Sequence, residues 1–292
     1  MKFQSGFVSI LGRPNAGKST LLNALVGEKM AIVSPKVQTT RHRIKAFLNS
    51  DAYQIIFSDT PGIIEPQYKL HERMMKQVRS AMEDADLGLL VYDVSEKQHE
   101  EANHFFSSIR LKAPTILVVN KTDAVPESEW KEAVEYFKAN GKYKQVLAIS
   151  ALKGKGVAEL IEAILQFLPE GEPFFSNDDL SDLPTRFFVS EMIREKIFEL
   201  YHQEVPYHTA VLVQEFTEKT TLIKIRADII VQRETQKLIV IGEKGSMIKK
   251  LGTESRQEIE KFLGAKVFLE LFVKVRPKWR DHDLFLKEYG YE

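Results

Sequence analysis

The sequence predicts an α/β protein in which a mostly parallel sheet flanked by helices is followed by a smaller α+β domain. Three observations carry this expectation. From Phe7 to about Leu168, short β-branched runs alternate with longer amphipathic segments, the pattern of strands joined by crossover helices. The stretch PEGEPFFSNDDLSDLP at 169–184 is rich in Pro, Gly, Ser and acid and breaks both periodicities. Beyond it, strands and helices resume in a different order. At 292 residues, 43% hydrophobic and 28% charged, the chain is in the soluble globular range and long enough for about two domains. The expected division is a first domain over 1–168, a linker over 169–184 and a second domain over 185–292.

The strands expected in the first domain are Phe7–Leu11, Ile44–Leu48, Gln54–Asp59, Gly88–Asp93, Thr115–Asn120 and Val146–Ile149. Helical periodicity falls near Lys18–Leu25, Leu70–Glu83, Glu100–Ile109, Glu129–Lys138 and Val157–Phe167. The second domain reads as a helix near Ser190–Tyr201, strands near Ala210–Glu215 and Leu222–Val231, two helices around a glycine loop at Gly242–Gly245, and a strand at Val267–Val275. That order is α-β-β-α-α-β.

Composition removes several function classes. The absence of cysteine excludes disulfides, thiolate catalysis, iron-sulfur clusters and thiolate zinc sites, and suits a reducing cytosol. Met1 to Gly6 runs straight into an apolar strand without the features of a secretory signal. The longest apolar stretches, such as Leu87–Val91 and Thr115–Val119, are too short to span a bilayer. The expectation is a cytoplasmic monomer whose membrane contact, if any, is peripheral and on the inner face of the cell membrane. Lys+Arg and Asp+Glu balance at 41 each, so whole-chain charge predicts no polyanionic partner, and the placement of the charges matters instead.

Ligands of such sheets bind at the carboxyl ends of strands, and four motifs end or follow strands there. Gly12-Arg13-Pro14-Asn15-Ala16-Gly17-Lys18-Ser19 matches a phosphate-binding loop. Backbone N–H groups close around phosphates, Lys18 neutralises their outer charge, and Ser19 offers a hydroxyl to magnesium. The strand before it and the helix after it argue against a chance glycine turn. Asn120-Lys121-Thr122-Asp123 selects the base: an ionised Asp123 only accepts, matching the adjacent N1–H and 2-amino donors of guanine, a pair that adenine lacks. Asp59-Thr60-Pro61-Gly62 places a carboxylate to hold magnesium through water and an amide toward the γ-phosphate, although such turns also form for local reasons. Ser150-Ala151-Leu152 offers backbone N–H groups to the guanine carbonyl. In the polar, β-poor segment Ile32–Arg43, Thr40 is the expected γ-phosphate-sensing magnesium ligand, with Thr39 as the neighbour that could replace it. A loop of weak propensity suits an order-to-disorder switch.

The spacing and order of these five elements resemble the translation-factor-related small GTPases, and among them most resemble the Era family, over essentially the whole chain. The resemblance implies a P-loop GTPase domain followed by a type II KH domain. It also implies a bacterial protein that assists maturation of the small ribosomal subunit by binding near the 3′ end of its RNA. In Ras-like switches a glutamine just after Asp-x-x-Gly orients the attacking water. Ile63 and Ile64 occupy that region here and cannot hydrogen-bond water. The chain must then use another group, a bound cation, or stay slow until a partner helps; by analogy with related GTPases, Asn15 helps hold a potassium ion that acts where an arginine finger otherwise would, and the plain alternative is that Asn15 only stabilises the loop. The expected catalytic set is Lys18, Thr40, Gly62 and Asn15.

In the second domain, Gly242-Glu243-Lys244-Gly245 lies between two helices, an arrangement that resembles a KH domain, whose G-x-x-G loop clamps about four single-stranded nucleotides by their backbone. From Lys244 to Arg280 there are 10 basic against 4 acidic residues, a basic patch inside a neutral chain. Lys249, Lys250, Arg276 and Lys278 are expected phosphate contacts. Glu243 counts slightly against strong phosphate affinity. Trp279 could stack on a base, but beside Pro277 an aromatic is more often packing. A P-loop ATPase or kinase is disfavoured by Asn120, Lys121 and Asp123, a passive RNA-binding protein by the intact Lys18, Ser19 and Asp59, and a membrane-remodelling GTPase by the lack of long amphipathic insertions.

Overall fold

The computed structural model describes residues 2–140 and 142–291 and divides into two compact units. The first comprises Met1–Ala31, Thr40–Glu65 and Met74–Asp182; the second comprises Ile32–Thr39, Pro66–Arg73 and Leu183–Glu292.

The first unit is built on β1 (Gln4–Gly12), α1 (Lys18–Val26), β2 (Ile44–Asn49), β3 (Tyr53–Asp59), α2 (Lys69–Asp84, whose first turn belongs to the second unit), β4 (Leu87–Asp93), α3 (His99–Ser108), β5 (Thr115–Asn120), α4 (Glu127–Ala139), β6 (Gln145–Ala148) and α5 (Val157–Leu165). The six strands run in the order β2-β3-β1-β4-β5-β6. Only β2 is antiparallel to its neighbour. Central parallel strands are covered on both faces, which is why β4, Leu-Gly-Leu-Leu-Val-Tyr-Asp, is buried at every position. The register pairs Ile10 with Asp59 and Asp93 with Asn120, so the motif-bearing strand ends are neighbours.

The stretch expected as a linker packs along the first sheet. Gln54 accepts the N–H groups of Phe174 and Phe175 at 2.7 and 3.0 Å, the Phe175 ring stacks on Phe47 at 4.1 Å, and Phe47 N–H donates to Leu180 O at 2.9 Å. Two aromatics and a backbone bond from the outer strands hold it, and the division between the units falls at Asp182–Leu183.

The second unit contains α6 (Thr185–Leu200), β7 (Ala210–Glu218), β8 (Ile223–Val231), α7 (Glu234–Ile241), α8 (Ser246–Leu263), β9 (Val267–Val275) and a short α9 (Asp283–Glu288). Its sheet runs β7-β8-β9, antiparallel then parallel, with a bulge between Val213 and Glu215. Alternate residues of β8, from Ile225 to Val231, meet Val189, Ile193, Ile197, Leu251 and Ile259 in one apolar core. Helix α6 starts five residues before the predicted Ser190, since Pro184 suits the entry to a helix. Ser190, the expected start, lies inside the helix, where its hydroxyl donates back to Phe187 O at 2.7 Å. Trp279 is fully buried, donates Nε1–H to His208 O at 2.9 Å and packs with Tyr289 and Tyr291. Base stacking by Trp279 is therefore ruled out by its burial. Among the described residues no helix is long and apolar enough to cross a membrane.

Candidate functional site

The phosphate loop spans the gap between β1 and α1. Gly17 has φ +91°, and a Cβ there would come within 2.4 Å of Asn120 Nδ2, so only glycine lets the loop turn beneath that side chain. Lys18 is 6% exposed and donates to the carbonyls of Gly12 and Arg13 at 3.3 and 2.9 Å. Burial pulls its ammonium down to about 8, against the attraction of Asp59. The Arg13 guanidinium is held aside by Gln98 at 3.3 Å and lies over the Phe105 ring.

Three oxygen-bearing side chains converge at the start of α1. Ser19 Oγ donates to Asp59 Oδ2 at 2.7 Å and lies 2.8 Å from Thr40 Oγ1, which is 3.3 Å from the same carboxylate oxygen. Asp59 is fully buried, and burial pushes its carboxyl up against the pull of Lys18, Ser19 and Thr40. Its Oδ1 has no hydrogen-bond partner among the described residues. A buried carboxylate oxygen left unpaired is costly. Beside two hydroxyls it forms an oxygen donor set suited to a hard dication such as Mg²⁺. Thr39 Oγ1 instead donates to Lys36 O at 2.6 Å, so Thr40 is the threonine that faces this cluster.

The Asp59–Gly62 turn is docked on the phosphate loop. Thr60 Oγ1 donates to Ile10 O at 2.8 Å, and Ile63 N–H donates to Gly12 O at 3.2 Å. A Cβ on Gly62 would lie 2.7 Å from Pro14 N, so that close approach requires glycine.

At the base end Asn120 acts as a staple. Its Nδ2 donates to Ala16 O at 3.0 Å and its Oδ1 accepts Ala151 N–H at 3.1 Å, joining the phosphate loop to the loop after β6. Ser150 Oγ donates to Asp123 Oδ1 at 2.5 Å and aims that carboxylate. Lys121 sits at φ +64° and pairs with Asp93 at 2.5 Å. Of the three amides expected to face the guanine carbonyl, that of Ser150 donates to Lys155 O and that of Ala151 to Asn120, while Leu152 is 70% exposed. Sequence reasoning missed Asp93 and the Ser150 hydroxyl. The one signal for Asp93 was a carboxylate ending the strand beside Asn120.

In the second unit α7 closes at Gly242 and α8 opens at Ser246, leaving Glu243 and Lys244 exposed between them. Lys249 and Lys250 on α8, and Arg276 and Lys278 after β9, are all exposed. Beside the glycine loop is a groove lined by Ile248, Lys249, Thr253, Arg256, Leu269 and Leu271, an apolar floor with a basic rim.

Residues 7–121 match the 50S ribosome-binding GTPase family, and residues 204–280 match the KH domain family. The chain is 47% identical to GTPase Era of Geobacter sp. strain M21, covering 100% of this chain and 99% of that protein. It is 43% identical to GTPase Era of Carboxydothermus hydrogenoformans at the same coverage. The chain belongs to the Era family of GTPases. The family resemblance, the fold class and the KH domain expected from sequence are borne out, and the protein hydrolyses GTP. Among solved structures, this Era-family chain is similar to Era in complex with MgGDPNP and nucleotides 1506–1542 of 16S ribosomal RNA, with a TM-score of 0.95, 39% identity and 99% of both chains covered. It matches a variant of Aquifex aeolicus Era bound to GDP and aluminium fluoride equally well, at TM-score 0.95 and 39% identity over 99% of both chains.

Proposed function

We propose that this Era-family GTPase is a switch that binds single-stranded ribosomal RNA through residues 185–292, near the 3′ end of 16S RNA, and assists assembly of the small ribosomal subunit, with residues 1–168 as its GTP-binding domain. The observation that carries the reading is full-length similarity, at TM-score 0.95, to an Era bound to both MgGDPNP and a 16S fragment. The glycine loop and its exposed lysines support it.

In this reading Gly12 to Ser19 cradle the phosphates, with Lys18 on the outer charge. Ser19, Thr40 and Asp59 hold magnesium, which neutralises charge building on the phosphate oxygens. The Gly62 amide faces the γ-phosphate across the turn formed with Thr60 and Pro61. Asp123 takes the guanine donors, while Asn120, Lys121, Thr122, Ser150, Ala151 and Leu152 frame the base. Gly242, Glu243, Lys244 and Gly245 clamp the RNA backbone by their own backbone, and Lys249, Lys250, Arg276 and Lys278 meet its phosphates.

Ile63 and Ile64 have no hydrogen-bonding side chain, so hydrolysis relies on another group, a bound cation or a partner; of these we take up the cation. Asn15 carries the one side-chain oxygen between Gly12 and Gly17, which fits potassium. Replacing potassium with sodium is expected to slow hydrolysis, and Asn15→Ala to erase the difference while nucleotide binding persists; equal rates in both salts for the native protein would sink the idea. We read the protein as cytoplasmic, where a ribosomal RNA partner would be met, with any membrane contact peripheral.

Crosslinking the GTP-bound protein to cellular RNA tests the main reading. Recovery should concentrate at the 3′ end of 16S RNA. Recovery of a different RNA, or of none, would redirect the assignment.

A further inference from the structure

Helix α6 is buried on two faces. One face, carrying Val189, Met192, Ile193 and Ile197, lies in the core of the second unit. The other carries Glu191, Arg194, Glu195 and Phe198, spaced i, i+3, i+4 and i+7 along one stripe. These are 6, 1, 3 and 1% exposed. Charged side chains are seldom hidden to that degree unless they are paired.

What this second face touches is the segment Ile32–Thr39, which belongs to the same unit. Glu195 Oε1 accepts Val33 N–H at 2.9 Å. Lys36 donates to the carbonyls of Phe198 and Tyr201 at the end of α6, where unpaired carbonyls and the helix dipole favour a cation. Arg194 Nε donates to Glu191 Oε1 at 2.8 Å, and Nη2 donates both to Glu191 Oε2 and, at 2.5 Å, to Thr39 O. The planar guanidinium satisfies both partners at once, which a lysine cannot do in that geometry.

The peptide bond after Thr39 leads to Thr40, whose Oγ1 faces Ser19 and Asp59. We propose that Arg194, clamped by Glu191, is a positioning residue for magnesium-dependent GTP binding: by holding the Thr39 carbonyl it orients the peptide that carries Thr40. This rests on the reading of Thr40 as a magnesium ligand that acts with the γ-phosphate.

The test compares full-length native protein with Thr40→Ala, Arg194→Gln and the double variant Glu191→Leu/Arg194→Met. Replacing a buried ion pair with apolar residues of similar volume is often neutral for stability, so the double variant keeps the fold while removing the hold on Thr39. Affinities for fluorescent GDP and for a non-hydrolysable GTP analogue are measured across a magnesium titration, alongside thermal melting. All three variants are expected to lose affinity for the GTP analogue by roughly tenfold, the size of one charge-assisted hydrogen bond. They should require more magnesium for half-saturation, while GDP affinity stays within about twofold. If Thr40→Ala shows this selective loss and the Arg194 variants do not, the positioning role is overturned while the Thr40 reading stands. If Thr40→Ala is not selective, the Thr40 reading falls and the proposal with it. Parallel loss of both affinities with reduced melting in the double variant would make the pair purely structural, and would also overturn it.

Discussion

At the nucleotide site the polar groups are hidden, with Asp59 and Ser150 at 0%, Asn120 at 1% and Lys18 at 6% exposure. At the glycine loop Glu243, Lys244, Lys249 and Lys250 all face water. The contrast separates two ways of binding a phosphate ligand. Buried groups act in a low dielectric and depend on one another, so removing one leaves another unpaired and the loss is large. Exposed cations act through screened attraction, so their contributions are small, similar and sensitive to salt. Holding the phosphates and the metal belongs to the first arrangement and retention of a polyanion to the second.

The largest expected effect is at Asp123, an exposed carboxylate aimed by the buried Ser150 hydroxyl. Asp123→Asn turns paired acceptors into a mixed donor and acceptor, and two charged hydrogen bonds at about 1.5–3 kcal/mol each put the loss of GTP affinity at several powers of ten, with a gain for xanthosine triphosphate. Competition binding with both nucleotides checks it, and unchanged GTP affinity would remove Asp123 from the site. Next in size, Gly242→Asp with Gly245→Asp should abolish RNA binding by fluorescence anisotropy while leaving basal hydrolysis nearly untouched. A matching fall in hydrolysis would show that the two regions are not separable.

A smaller effect follows from Lys18, whose ammonium is pulled down to about 8 by burial. Below that pH it is already charged and GTP binds without taking up a proton. Above it, binding phosphate must return the proton, so affinity should fall by up to about tenfold per pH unit. Calorimetry in buffers of different ionisation enthalpy should then show proton uptake; a flat profile to pH 9.5 would contradict this account. Smallest of all, Lys249→Ala should weaken RNA binding uniformly across sequences and lower the salt slope by about 1. Sequence-selective loss would mean that Lys249 reads bases.

Most of the nucleotide site was legible because its chemistry is written in short contiguous strings. Gly12 to Ser19, Asp59 to Gly62 and Asn120 to Asp123 each carry their donors, acceptors and turn residues within four to eight positions, at the end of a recognisable strand. The second unit was legible as an order of elements and less so in detail. Ser190 resembled a helix start while sitting inside α6, and the six-residue α9 is too short to leave a periodic signal.

By itself the sequence determined an α/β switch followed by a KH-like domain, guanine as the base and a basic patch within a neutral chain, because each follows from local pattern and residue chemistry. Only the tertiary structure decided that Thr40 and not Thr39 faces Ser19 and Asp59, that Ser150 aims Asp123, and that Trp279 is core. It alone revealed that the charges of α6 are buried against a segment some 155 residues earlier. A charged stripe on a helix ordinarily reads as a solvated face, since the partner that hides it lies far away in the chain and leaves no mark on the local period.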